Sequence, residues 1–223
     1  MLEILGRRNS SNVMTVMWTV GEIDLPYKRH NIGGSFGGTD STEYLAANPN
    51  QVVPTLRDNG KTIWESNVIT RYLAATYDNG GLWPEDTYQR ALADQWMDWA
   101  KTTFYGAFMP IFFNMIRRPT DQCDHAAIAG GIKNTATTLS ILERHLEKTD
   151  FVAGDRLTMG DIPLGPMMYR YFELDIERPS LPNVEAWYQR LCARPAFQKH
   201  AMIPFGRSFE EWGVLEKEST NIQ

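Results

Sequence analysis

Cysteine is scarce in this 223-residue chain, with only Cys123 and Cys192, and no spacing pairs them. A disulfide framework is therefore excluded as the organising principle, and a reducing, cytoplasmic setting is expected. The four histidines, His30, His125, His145 and His200, are scattered, and neither His-Glu-x-x-His nor Cys-x-x-Cys nor Gly-x-Ser-x-Gly occurs. Metal, dithiol-redox and serine-hydrolase readings thus have no motif behind them, and no metal is expected. Apolar runs are short, well under the roughly 18 residues a membrane helix needs. Met1 to Arg8 lacks the apolar core of a signal peptide. Positive charge is also in short supply: 22 Lys and Arg against 27 Asp and Glu give a net charge of −5. That balance argues against a nucleic-acid partner. Gly33-Gly34-Ser35-Phe36-Gly37-Gly38 is glycine-rich but does not fit Gly-x-Gly-x-x-Gly, so no phosphate loop is read there.

Aromatic residues are plentiful, with seven Trp, nine Tyr and ten Phe, and hydrophobic residues make up 43% of the chain. This is enough for one large or two small domains with their own cores. Leu2 to Leu5 predicts a buried strand. Val13, Val16, Met17 and Val20 share one face of a helix, with Ser11 or Asn12 as its N-cap. Tyr27 to Ile32 predicts a second strand and Ser41 to Ala47 a short helix. The Gly- and Pro-bearing stretch Asp78 to Pro84 marks a linker. The boundaries expected are residues 1–78, a linker at 79–86, and an all-helical part at 87–223. In that second part Leu92, Trp96, Trp99, Thr103 and Phe104 lie on one helical face, and Ile132, Leu139, Leu142 and Leu146 on another. Thr158 and Asp161 have capping-box spacing, with Leu157 and Ile162 placed as a hydrophobic staple. Pro163 and Pro166 predict an irregular start for the helix that follows.

The stretch from Asn48 to Ser66 carries the densest signal. Asn48-Pro49 leads to Val53-Pro54 and a short apolar pair, Thr55-Leu56. Asn59-Gly60 tolerates positive φ at both positions and predicts a tight hairpin into Thr62-Ile63-Trp64. Glu65-Ser66 then opens a helix on which Val68, Ile69, Tyr72, Leu73 and Thr76 share a face. A proline with no N–H turns an exposed backbone edge toward a ligand. A helix start offers free N–H groups to a carboxylate.

Asn-Pro-x-x-x-Val-Pro-x-Leu, a hairpin, then Glu-Ser before an apolar helix resembles the glutathione-binding half of cytosolic glutathione transferases. The helical second half, its Thr158-x-x-Asp161 box and Arg194-Pro195-Ala196-Phe197 extend the resemblance from Leu2 to about Lys199. It implies a thioredoxin-like α/β domain followed by an all-α domain, with glutathione as co-substrate. It implies that Pro54 is cis, that the Val53 backbone meets the cysteinyl part of glutathione, and that Glu65 and Ser66 hold the γ-glutamyl end. Gln51 is a candidate for the glycyl end. It implies a thiolate donor in the turn after the first strand, which here is Arg7-Arg8-Asn9-Ser10-Ser11-Asn12. With no Tyr or Cys in that turn, the chain is similar to serine-type and bacterial theta-like members. The serine-type motif sets its first Ser on Ser10; the bacterial Thr-Pro-Asn motif sets its Thr on Ser10 and its Asn on Asn12. Ser10 and Asn12 are thus the catalytic candidates, with Ser11 beside them as a binding candidate. Relatives often carry Lys or Arg where this chain has Thr15. The family also implies a homodimer, with exposed aromatics among Trp96, Trp99 and Tyr105 at the seam. It implies a small apolar electrophile lined by Phe104, Phe108, Met109, Phe112 and Phe113, with Phe205, Phe209 and Trp212 folding over it or packing at the surface. Conjugation is the reaction expected. Glutathione-dependent peroxide or disulfide reduction, or a binding module without turnover, are the alternatives.

Overall fold

A computed structural model describes residues 1–78 and 80–218. Strand β1 (Leu2–Leu5) runs parallel to β2 (Tyr27–His30), and helix α1 (Ser11–Glu22) makes the crossover between them. After α2 (Thr42–Ala47), β3 (Thr55–Asp58) and β4 (Lys61–Trp64) form an antiparallel hairpin. Its turn residues Asn59 and Gly60 both have positive φ, 48° and 78°, as a two-residue hairpin demands. The mixed sheet has the order β2-β1-β3-β4. Helix α3 (Ser66–Tyr77) packs beside α1 on the sheet, and the two hydroxyls Thr19 and Thr70 meet between them at 3.1 Å. This is the thioredoxin-like arrangement. Its core is Leu2, Ile4, Val13, Val16, Leu56, Ile69 and their neighbours.

The stripe expected on α3 is rotated. Ile69 and Leu73 are buried, but Val68 is 46% exposed and Thr76 is exposed as well. Thr70 and Ala74 take the inward places because small residues let α3 come close to α1. The N-cap of α1 is Ser10, one residue earlier than expected, so Ser11 and Asn12 lie inside the first turn.

The second half is helical: α4 (Thr87–Trp99), α5 (Tyr105–Ile116), α6 (His125–His145), α7 (Gly165–Glu173), α8 (Pro182–Cys192), α9 (Pro195–His200) and α10 (Phe209–Glu218). One turn of π-helix, Ala100–Phe104, joins α4 to α5. Its wider pitch shifts the helical phase, so Thr103 faces solvent while Ala100 and Phe104 face the core. Phe104 and Phe108 stack there with centroids 5.8 Å apart. They are core residues with no exposure, and Phe113 is 40% exposed beneath Arg118, so of the five expected lining residues only Met109 and Phe112 reach the cleft described below.

Thr158 and Asp161 do meet, but not at the start of an α-helix, since α7 begins at Gly165. Asp161 is fully buried and accepts from the Val152 and Thr158 N–H groups, both at 3.0 Å, and from the Trp187 indole at 2.9 Å. It therefore pins α8 and the Val152 turn together. Burial pushes its carboxyl above the ordinary value, against those hydrogen bonds. The sheet half and the helical half are tied by Arg71 to Asp94 and Asp98 (2.6 and 2.7 Å), by Asn67 to the Met97 carbonyl (2.9 Å), and by Arg194 to Glu22 (2.6 Å). Among the described residues no helix is long and apolar enough to cross a membrane.

Candidate functional site

Between the two halves lies a cleft of about 300 Å³. One wall is the turn from Arg7 to Asn12 that leads into α1. The second is the loop around Gln51, Val52 and Val53, and the third is formed by Tyr105, Met109, Phe112 and Arg117 of α5 and its C-terminal cap, with Arg170 of α7.

The loop wall is set by a buried network. The Asn48 amide donates to the Val52 carbonyl at 2.8 Å and to the Thr55 hydroxyl at 3.0 Å. The Tyr44 hydroxyl donates to the same Val52 carbonyl at 2.7 Å, and Thr55 donates to Tyr44 at 3.0 Å. Asn48 is 1% exposed, so these bonds form without competition from water. The Val53–Pro54 bond is cis. Among the described residues, no hydrogen bond engages the N–H or carbonyl of Val53, which lies at the cleft. An unpaired main-chain edge of this kind is a docking strip for another amide.

The turn wall is equally specific. Ser10 has extended backbone, φ −75° and ψ 124°, and occupies the N-cap, yet its hydroxyl makes no capping bond. Cap residues ordinarily spend their side chain on a first-turn N–H; here the hydroxyl is left available beside the open end of a 12-residue helix. Ser11 and Asn12 line the same cleft and also an adjoining recess that contains Thr15, Ser66, Asn67 and Lys101. Lys101, from the π-helical turn, donates to the Asn12 side-chain oxygen at 2.7 Å. Burial lowers the Lys101 pKa from its ordinary value, and the Glu65 charge opposes that shift. A cation absent at position 15 is thus delivered to the same recess from position 101.

Five of the sequence candidates, Ser10, Ser11, Asn12, Gln51 and Val53, therefore converge on one cleft. Ser66, 2% exposed, opens onto the adjoining recess. Pro54 is buried behind Val53. The Glu65 side chain turns toward Asn50, whose amide reaches it at 3.4 Å, and its backbone holds a positive φ of 73°. Among the expected seam aromatics, Trp96 is only 6% exposed and packs on Trp99 and His145, so it belongs to the core. Tyr105 faces the cleft. Phe205 and Trp212 pack edge-on against Phe112, at 5.4 and 5.8 Å, and so fold over the cleft's third wall; Phe209 stays 40% exposed.

Sequence reasoning missed Lys101, Arg117 and Arg170. Arg170 had a usable signal: it is a lone charge within Met167-Met168-Tyr169-Arg170-Tyr171-Phe172, and a charge in an apolar run asks what it is buried for. Arg7 is ion-paired with Glu216 of α10 at 2.8 Å, and the other Glu216 oxygen accepts from the Ser35 N–H at 2.9 Å. Burial opposes ionisation of Glu216, but Ser35 and Arg7 outweigh it and hold the carboxyl below its ordinary value. The last helix is thereby fastened across the entrance turn.

A mixed sheet with this loop and helix start, followed by an α-helical bundle, defines a glutathione-transferase architecture. The family description "Glutathione S-transferase, N-terminal domain" matches residues 2–75, and "Glutathione S-transferase, C-terminal domain" matches residues 104–195. The chain belongs to the glutathione S-transferase family. It is 39% identical over 206 residues to glutathione S-transferase GstB of Escherichia coli strain K12, covering 92% of this chain and 99% of that protein. It is 29% identical over 212 residues to glutathione S-transferase 3 of Zea mays, covering 91% and 95%. Among solved structures, the theta class glutathione S-transferase from Xanthomonas axonopodis pv. citri with glutathione bound superposes with a TM-score of 0.89 at 45% identity, covering 92% of this chain and 99% of that one. Glutathione transferase F7 of Populus trichocarpa, at 24% identity and a TM-score of 0.82, shares the fold.

Proposed function

We propose that this glutathione transferase binds glutathione along the Val53 edge and holds its sulfur as a thiolate at Ser10. The observation that carries this is the Ser10 hydroxyl, placed at a helix N-cap but spent on no cap, in the cleft that Val53 also lines. A free thiol titrates near ~8.5, and lowering that by about two units needs roughly 2.7 kcal/mol of preferential thiolate stabilisation. A hydroxyl donating to sulfur, the open end of α1 and the nearby Lys101 ammonium all act in that direction. Asn12, held by Lys101, is the second donor, and Ser11 borders the same space. The γ-glutamyl end lies toward Ser66 and Glu65, at the start of α3, and the glycyl end toward Gln51. The electrophile lies against Tyr105, Met109 and Phe112. Attack by sulfur forms the C–S bond, and the leaving group departs with its electron pair. The thiol proton goes to solvent before attack, and catalysis beyond the pKa shift is proximity.

Residues 1–78 form the glutathione-binding domain, 79–86 the linker and 87–223 the helical domain, with 79 and 219–223 lying outside the described residues. The enzyme works as a homodimer in the cytoplasm, which the two free cysteines suit. The direct test is the thiol pKa of bound glutathione, followed by thiolate ultraviolet absorbance in the native protein and in Ser10→Ala and Ser66→Ala. The reading predicts a pKa well below that of free glutathione in the native protein, a return toward the free value in Ser10→Ala, and weaker binding in Ser66→Ala. Tight binding with an unshifted thiol in the native protein would refute it.

A further inference from the structure

The α5–α7 wall carries more positive charge than an apolar acceptor needs. Arg7, Arg117 and Arg170 all line the cleft. Glu216 pairs with Arg7. Among the described residues, no carboxylate forms an ion pair with Arg117 or Arg170. Arg170 is 2% exposed. One of its terminal nitrogens donates to the Asn9 carbonyl at 2.5 Å, while its Nε has no hydrogen-bond partner among the described residues. Its guanidinium carbon sits 4.3 Å from the Phe112 ring centroid, and that of Arg117 sits 4.5 Å from the Trp212 centroid.

Taking an ion out of water is costly unless it is paired and hydrogen-bonded. Stacking on an aromatic face offsets only part of that cost. The bond to Asn9 gives Arg170 a share in holding the Ser10 turn, but Arg117 has no such bond, and both point charge into the same space. Burial, then Arg117 and Arg7, bring the Arg170 guanidinium down to about 9; burial and Arg7 likewise lower Arg117, although the Glu216 carboxylate opposes that shift. The cations repel one another across the cleft, and a bound anion would relieve them.

We infer that the acceptor substrate carries a carboxylate on an aromatic or similar apolar body, with the carboxylate on Arg117 and Arg170 and the body against Tyr105, Met109 and Phe112. This rests on the glutathione-transferase reading. A probe that fits is 4-chloro-3-nitrobenzoate. Sulfur attacks the chlorine-bearing carbon, the C–S bond forms, the C–Cl bond breaks, and chloride leaves with the bonding pair. The neutral control is 4-chloro-3-nitrobenzamide.

The experiment compares kcat/KM for the two, each divided by its own uncatalysed rate with glutathione, in the native enzyme and in Arg117→Gln. Arg117 is chosen because it is only half-buried, whereas replacing Arg170 also removes a bond to the turn. In parallel, calorimetry on the same proteins with S-methylglutathione present measures the binding of the unreactive pair 4-nitrobenzoate and 4-nitrobenzamide. The expected result is a preference of about tenfold or more for the carboxylate, in turnover and in binding, as a charge-assisted hydrogen bond supplies. Arg117→Gln cuts the ratio several-fold, Arg170 remaining as the second anchor, and leaves the KM for glutathione unchanged. Equal normalised rates and equal binding in the native enzyme would overturn the inference. So would an Arg117→Gln enzyme that keeps the preference but shows a raised KM for glutathione, since the arginines would then belong to glutathione itself. Preferential binding of 4-nitrobenzoate without turnover of either electrophile would support the anion site and count against the conjugation reading.

Discussion

The loop wall of the cleft and the α5–α7 wall solve the same problem with different chemistry. The loop wall uses neutral groups. Asn48, Tyr44 and Thr55 satisfy one another and leave the Val53 edge bare. The α5–α7 wall uses cations stacked on rings, with Arg170 on Phe112 and Arg117 on Trp212. Neutral networks, once satisfied, are indifferent to a ligand's charge and select by backbone geometry. Stacked arginines select by charge, and their planar forks match a carboxylate. On this reading one wall suits an invariant peptide and the other a variable acceptor with a recurring anionic handle. Between them stands α1, whose start presents Ser10 to both.

The comparison breaks most severely at Asn48. Asn48→Ala removes the donor to the Thr55 hydroxyl, the acceptor of the Asn50 N–H and one of two donors to the Val52 carbonyl, which keeps Tyr44; a buried group left unpaired costs about 1–3 kcal/mol. Chemical denaturation should show a loss of about 3 kcal/mol. The KM for glutathione should rise more than the KM for the acceptor.

The far end of α1, the helix whose start carries Ser10, packs on α9. There His200 is 8% exposed, and burial, with Lys199, Arg8 and Arg29 nearby, lowers its pKa from 6.5 to about 4. The unfolded chain therefore binds the extra proton between those values. The contribution is fully present above about 6.5, falls as the pH drops, and is exhausted near 4, at a scale of about 3 kcal/mol. Denaturation midpoints between pH 7 and 4 should slope downward, and His200→Gln should flatten that slope.

Ser10→Ala sharpens the comparison. The hydroxyl caps nothing, so stability should stay within about 0.5 kcal/mol, in contrast with ordinary cap replacements. Losing a donor to an anion costs about 1.5–3 kcal/mol, so kcat/KM should fall on the order of 10- to 100-fold. An equal loss of stability would return Ser10 to the role of a plain cap.

Lys101→Met is the smallest change. It should raise the bound thiol pKa by about half a unit, as a charge acting through Asn12 and not directly on the sulfur does. In the Lys101→Met background, Asn12→Ala should add little, because the two act as one unit.

The sheet half was largely legible in the sequence because its signals are local. Asn59-Gly60 demands its hairpin, and Val53-Pro54 with the Glu65-Ser66 start lies within 20 residues of Asn48. The N-cap position was misplaced because Ser10, Ser11 and Asn12 have equal propensity, and only tertiary contacts choose between them. The π-helical turn was invisible because its extra residue leaves no composition mark, and it turned Thr103 out of the face that Phe104 keeps. Lys101 and Arg170 escaped because their meaning lies 89 and 161 residues away, at Asn12 and Asn9. The Val68 error has a similar origin: apolar spacing marks a face but not which edge of it a neighbouring helix will cover.

If the open start of α1 makes a thiolate, a titration of the bound thiol shows it. Thiolate absorbance of bound glutathione, followed from pH 4 to 10, should give a pKa about two units below that of free glutathione in the native protein, and one raised by about one unit or more toward the free value in Ser10→Ala. The same depressed pKa in both proteins would contradict the claim and move the thiolate to another donor.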